Sequence, residues 1–244
     1  MNNNRGFTLI EILVAAAVSL ILVFSIGIAI ESALKSSGGI ERKVTAQQDV
    51  RAVLEIMAME IRMASYNPTL TDNNSLWMKS NCSGFSANPS WKGIQEATAN
   101  SITVEMDIVG IISPDGKLDG DGTLNQSNEI IRYNYVSANP ERYITRGTNC
   151  GGDQPFLGDL STSGHPRTVK VINIEPDINI PIFRYFDGQG NQIPINGTTN
   201  GIPAQIPNVR MIEITLAVET DEINPDTGRP RRMIYSTREI LRNH

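Results

Sequence analysis

Between Phe7 and Ile30 the chain reads FTLIEILVAAAVSLILVFSIGIAI, and Glu11 is the only charge in it. The nineteen residues from Ile12 to Ile30 carry none. As a helix they span about 28 Å, close to the hydrocarbon thickness of a bilayer. A run this uniformly apolar is rare in a soluble domain, where a surface helix keeps one polar face. It is also too long for a secretory signal, whose apolar part runs to about 7–15 residues, and no A-x-A site follows Ile30. The preceding MNNNRG is short, polar and basic, and Arg5 favours keeping that end cytoplasmic. A plain anchor accounts for the length but not for Glu11. A carboxylate inside a membrane segment is costly and marks a function.

The setting of that carboxylate is R-G-F-T-L-I-E, residues 5–11. This run resembles the class III signal of type IV pilins and the related pseudopilins. The resemblance implies that a prepilin peptidase cuts between Gly6 and Phe7, that the new N-terminal Phe7 is methylated, and that Glu11 is the fifth residue of the mature chain. The residue types make physical sense. Gly6 has no Cβ and lets a protease approach the backbone. The amine of Phe7 is positive and needs a counter-charge in a water-poor helix bundle. Glu11 of a neighbouring subunit supplies one, which would set the axial register of assembly, because an unpaired buried ion costs several kcal/mol. The proline often found inside the family's membrane helix is absent, and Gly27 is the only breaker there.

Residues 31–66 continue as a helix but become amphipathic. Ile40, Val44, Val50, Leu54, Met57, Ile61 and Ala64 recur at spacings of three and four, with Gln47 filling one gap. Glu41, Arg42, Lys43, Asp49, Arg51, Glu55, Glu60 and Arg62 take the other face, and Glu31 with Lys35 makes a favourable i,i+4 pair. Such a stripe fits either a coiled-coil seam or one helix packed on its own sheet. Ser36-Ser37-Gly38-Gly39 interrupts helix propensity, as a kink or as a stretch that loosens in a filament. Asn67-Pro68 predicts the helix end.

From Pro68 onward the period changes to two. Over Ser101–Ile108 the residues Ile102, Val104, Met106 and Ile108 face one way, and Thr103, Glu105 and Asp107 the other. Glu129–Val136 places Ile131, Tyr133 and Tyr135 on one face. Arg142–Arg146, Val169–Ile174 and Ile182–Phe186 read as further strands. Val209–Val218 and Arg231–Thr237 form a terminal hairpin around N-P-D-T-G, residues 224–228. Short strands with short connections predict an antiparallel sheet. The expected fold is α+β: a long N-terminal helix, hydrophobic then amphipathic, packed on a C-terminal antiparallel β-sheet head. The expected divisions are a leader at 1–6, a membrane half of the helix at 7–30, an amphipathic half at 31–66 and a β-rich periplasmic or extracellular head at 67–244.

The head extends the resemblance. Ile102–Ile108 leads through Asp115–Gly122 to Ile130–Val136. Later come F-R-Y-F-D at 183–187 with Gly190, then Ile206–Val218 and a final L-R-N at 241–243. This order is similar to the PilW-type minor pilins and to the GspJ-type minor pseudopilins of type II secretion.

Chemistry in the head is thin. Asp115, Asp119 and Asp121 sit in SPDGKLDGDGT. Clustered carboxylates with glycines suit a Ca²⁺ ion, yet Lys117 breaks both EF-hand registers, and Asp and Gly favour plain turns for local reasons. Cys82 and Cys150 lie 68 residues apart in the part expected to be periplasmic. In an oxidising compartment they form either a disulfide or two buried free thiols. His165, between Gly164 and Pro166, reads as an exposed loop residue. With His165 and His244 the only histidines and two cysteines in all, a His-rich metal site and a multi-Cys zinc framework are excluded. No G-x-S-x-G, H-E-x-x-H, Walker loop or Rossmann fingerprint occurs. No catalytic residue and no cofactor is therefore expected beyond the alternative of Ca²⁺. Net charge is −5, which argues against general nucleic-acid binding. Arg229, Arg231 and Arg232 make a local basic cluster, read as a solvated hairpin tip or a contact for DNA or a partner.

The resemblance implies a non-enzymatic subunit: a PilW-like minor pilin near the tip of a type IV pilus, helping to start assembly. The alternative is a GspJ-like minor pseudopilin of a type II secretion system. A membrane-anchored binding protein or enzyme is a third class, which would require a catalytic constellation and no cleavage at Gly6. The implied partners are the prepilin peptidase, other minor pilins, the major pilin, the inner-membrane assembly platform and membrane lipid before assembly. The implied location is the bacterial inner membrane with the head in the periplasm, then the pilus at the cell surface. Adhesion, twitching, DNA uptake and electron transfer all stay open for the filament, although nothing here would ligate haem.

Overall fold

A computed structural model describes residues 7–77, 88–112, 118–137, 142–158, 168–195, 202–224 and 227–244. Helix α1 (Leu9–Arg62) is continuous through the Ser36–Gly39 stretch. The chain divides into two compact units, Met1–Thr45 and Ala46–His244, so the boundary falls inside that helix.

In the first unit the apolar run is exposed along its whole length. Ile40 and Val44, placed in the apolar stripe by their spacing, are 61% and 43% exposed. The stripe becomes a packing face only in the second unit. There Ala46, Val50, Leu54, Met57 and Ile61 are buried in one core with residues from both sheets of the head. That is the arrangement of a helix packed on its own domain.

The helix ends at Arg62, five residues before the Asn67-Pro68 stop. The Met63 N–H is shared between the carbonyls of Met59 and Glu60, and the next bonds tighten to i→i−3. Ser65 then turns left-handed, with φ +65°. Its N–H is taken by the Glu105 carbonyl at 2.9 Å. A strand carbonyl from the head thus terminates the helix before proline does. A single turn, α2 (Asn73–Leu76), follows, capped by the Asp72 carboxylate.

The head is all antiparallel. Strands β1 (Ile94–Ala97) and β2 (Ser101–Glu105) form a hairpin. β3 (Gly110–Ile112) and β4 (Leu118–Gly120) make a separate two-stranded ribbon. β5 (Ile130–Val136), β6 (Tyr143–Thr148) and β7 (Gln154–Leu157) complete a first sheet in the order β1-β2-β5-β6-β7. β8 (Val169–Val171) comes next, and β9 (Ile174–Glu175) and β10 (Ile178–Asn179) pair with each other. β11 (Phe183–Phe186), β12 (Gln192–Ile193), β13 (Met211–Asn224) and β14 (Arg229–Ile240) build a second sheet in the order β12-β11-β13-β14. β8 joins it against β13. Instead of one sheet, the described head thus holds two five-stranded sheets and two two-stranded ribbons. β13 is long enough to hold β11 along residues 211–214 and β8 along 218–220.

Tyr133 and Tyr135 lie on the core side of β5 with Ile131, as their alternation predicts. The polar face of the 101–108 segment behaves otherwise. Strand β2 stops at Glu105, and Thr103, Glu105 and Asp107 are as buried as their apolar neighbours. The Thr103 hydroxyl donates to Glu96 at 2.9 Å, and Arg132 closes over the same carboxylate at 3.0 Å. Asp107 accepts from the N–H groups of Asp121 and Gly122. Thr103 and Asp107 on this face are thus buried with hydrogen-bond partners inside the head.

Candidate functional site

The start of α1 is built as a reciprocal cap. Thr8 precedes the first helical residue and Glu11 is the third. The Glu11 N–H donates to the Thr8 hydroxyl oxygen at 3.3 Å. One Glu11 carboxylate oxygen accepts from the Thr8 N–H at 2.9 Å and from the Thr8 hydroxyl at 3.0 Å. This is a capping box, T-x-x-E, which satisfies helix-end donors from within the chain. The spacing is visible in the sequence, yet Thr8 has no part in the counter-charge reading of Glu11. In a medium without water, such internal satisfaction is what a helix start requires.

Beyond it, Leu9–Arg62 contains an 18-residue window of mean hydropathy 2.8, none of it buried in the structure. The two hydroxyls in the apolar run are satisfied locally. Ser19 donates to the Ala15 carbonyl and Ser25 to the Ile21 carbonyl, each at 2.8 Å. Length, apolarity and internal satisfaction all fit membrane anchoring. Phe7 is exposed ahead of the cap, and Gly6 lies outside the described residues.

The other candidates are not brought together. Asp115 lies outside the described residues. Asp119 is in β4, paired with Ile111. Asp121 uses one carboxylate oxygen on the N–H and hydroxyl of Thr123, at 2.9 and 2.6 Å. Among the described residues no group of three His, Cys, Asp or Glu is placed to hold a metal ion. Asp107 and Glu129 organise the described part of this region, their oxygens accepting the backbone N–H groups of Val109, Asp121, Gly122, Asn125 and Gln126. Cys150 is disulfide-bonded, while Cys82, the only other cysteine in the sequence, lies outside the described residues, as does His165. In the basic cluster, Arg232 is held by Glu219 at 2.9 Å and Asp177 at 2.5 Å.

Two polar sites went unread in the sequence. Glu60, placed on the solvated face by its charge, is 8% exposed and meets Arg146 and Tyr133. His244 is held between the Ser65 hydroxyl at 2.9 Å and the Ile206 carbonyl at 2.8 Å.

Residues 1–27 match the family model of the prokaryotic N-terminal methylation motif. The chain therefore carries the class III signal of type IV pilins and pseudopilins, at the start of an α+β chain of one long helix followed by antiparallel β-sheets. That signal implies processing by a prepilin peptidase and assembly with other pilins. No curated protein and no solved structure matches the chain.

Proposed function

We propose that the chain is a minor pilin of PilW type that enters a type IV pilus at or near its tip and helps to start assembly. One observation carries this reading: a single carboxylate, Glu11, at the capped start of an exposed apolar helix, five residues after Gly6. The peptidase hydrolyses the Gly6–Phe7 bond, and the apolar helix stays in the inner membrane with the head in the periplasm. Phe7 is then methylated, and its amine pairs with Glu11 of an adjacent subunit in the fibre. The reading gives the chain no catalytic step.

The order of head elements also supports a GspJ-like pseudopilin, which shares the signal and the fold. Gene neighbourhood separates the two: minor-pilin genes on one side, a secretion operon on the other. The direct test is mass spectrometry of sheared pili. The expected peptide begins at N-methyl-Phe7 and is recovered at low abundance relative to the major subunit. Intact Met1, a cut after Ile30, or absence from sheared pili refutes the proposal.

A further inference from the structure

We propose that the free edge of β14 is a strand-addition site for an extended, acid-ended segment of a partner protein. This stands on the head alone and does not depend on the filament reading.

Among the described residues one strand pairs with β14. β13 pairs with it from Met211↔Ile240 to Asn224↔Arg229, and no strand pairs with its other edge among the described residues. The free side is identified by alternation. The Leu241 N–H bonds to the Arg210 carbonyl, and the Arg231 N–H to the Thr220 hydroxyl, both on the β13 side. Odd-numbered residues therefore turn their main-chain groups to β13. The even-numbered Arg232, Ile234, Ser236, Arg238 and Ile240 turn theirs outward.

An open edge of nine regular residues is a template for pairing unless it is guarded. Among the described residues the guards lie at the hairpin tip, where Pro230 sits and the register shifts between Glu219 and Ile223. The charges farther along are folded back. Arg232 bonds to Glu219 and Arg238 to Glu213, each at 2.9 Å, and Arg238 lies over the Phe186 ring at 5.3 Å. Between them Ile234 is 60% exposed, and Ile240 beyond is 65% exposed. Beside this edge a groove of about 290 Å³ runs between α1 and β14, lined by Leu54, Ala58, Met59 and Thr237 with the charged Glu55, Arg62 and Glu239 at its walls. A strand laid along β14 would set alternate side chains over that groove.

Charge defines the occupant. Residues 229–242 carry five arginines and one glutamate, net +4, in a chain of net −5. Arg229 and Arg231 precede the open stretch and Arg242 follows it, and none of the three forms an ion pair among the described residues. The fitting segment is about nine residues and about 30 Å long. It is apolar on one alternating face and carries a carboxylate at each end. It runs antiparallel to β14, as β13 does on the other side, so a single set of alternate residues faces β14 while the other lies over the groove. This is recognition by main-chain addition, with alternate side chains giving specificity.

The test uses the full chain in detergent micelles and a nine-residue probe of alternating valine and threonine with aspartate at both ends. Hydrogen exchange should slow at least tenfold at Ile234, Ser236 and Arg238 on adding the probe. A lysine-ended probe should bind at least tenfold more weakly. Two further probes carry N-methyl groups on alternate sets of residues. One should bind like the parent and the other at least tenfold more weakly, since only one set faces β14. Ser236→Pro removes an outward N–H and should abolish binding. The N-methyl pair tests the same bond in the unaltered protein. Equal binding of the two N-methyl probes, equal binding of the lysine-ended probe, or no protection at millimolar probe overturns the proposal. Edge amides protected without probe, in proportion to protein concentration, would also overturn it and assign the edge to a second copy of this chain.

Discussion

Arg146 on β6 donates to the carboxylate of Glu60 on α1 at 2.6 Å, and the Tyr133 hydroxyl on β5 donates to the same group. Burial, and then the neighbouring Glu60 charge, push the Tyr133 phenol well above its usual range, so it stays a donor. This contact ties the helix to the first sheet with directional bonds, where the surrounding core supplies only area.

Removing Glu60 leaves a partly buried guanidinium and a buried hydroxyl without their acceptor. Since Arg146 keeps 21% of its side chain exposed, the loss is smaller than for a fully buried pair. Glu60→Ala should cost about 2–3 kcal/mol, and Tyr133→Phe about 1 kcal/mol. Glu55→Ala, on the exposed face, should stay within about 0.5 kcal/mol. Urea unfolding of the full chain in micelles, followed by near-UV circular dichroism, measures all three. Equal midpoints for Glu60→Ala and Glu55→Ala would show that the contact contributes nothing.

Much of this was legible. The stripe of Val50, Leu54, Met57 and Ile61 gives the buried face, and period two gives β2, β5 and β13. Even Glu60 sits at the right spacing, three residues after Met57 and seven after Val53. Its charge misdirects, because the partner that makes burial tolerable lies 86 residues away on β6. β14 fails in the same way. The alternation ends at Thr237, yet the strand runs to Ile240, since Arg238 and Glu239 are matched by Glu213 and Arg62. Local periodicity reports which face is apolar. It does not report which polar residue will find a long-range partner. The cap at Thr8 and Glu11 is the opposite case, a four-residue pattern wholly visible in the sequence.

His244 makes stability depend on pH. Burial, and lesser repulsion from Arg210 and Lys92, lower its pKa from 6.5 to about 4. The geometry suits the neutral ring. Nε2–H donates to the Ile206 carbonyl and Nδ1 accepts from the Ser65 hydroxyl, whose oxygen already accepts the Gly93 N–H at 3.0 Å. The unfolded chain binds this proton more readily, so the contribution is full above about pH 6.5. It falls by about 3 kcal/mol as pH drops to about 4. The difference in unfolding free energy between wild type and His244→Gln should therefore shrink across that window. A difference constant from pH 7 to pH 4 would show that the ring is solvated.

The disulfide at Cys150 should protect both cysteines from maleimide in the unreduced, folded chain. Two labels should appear after reduction and unfolding. With the two cysteines 68 positions apart, reduction should lower stability by about 4 kcal/mol in the chain-entropy model. Rapid double labelling without reductant would contradict this.

The cap and the counter-charge at Glu11 can be separated by substitution. Both roles use the same carboxylate, but they ask different things of it. Accepting from Thr8 needs only an oxygen at the right place, which glutamine retains. Neutralising the amine of a neighbour's Phe7 needs charge, which glutamine lacks. Glu11→Ala removes both and should cost the helix start about 1 kcal/mol, while Glu11→Gln leaves the cap in place. Both variants should insert and be cut after Gly6, because neither change touches the scissile bond. Both should accumulate as processed protein in the inner membrane and be depleted in sheared filaments, because a buried amine left without its partner costs a few kcal/mol. Quantitative immunoblots of membrane and sheared fractions read the outcome. Filament levels restored by Glu11→Gln but not by Glu11→Ala would assign Glu11 to the cap. Wild-type levels for both would show that this subunit occupies a place, such as the very tip, where no neighbour's amine waits.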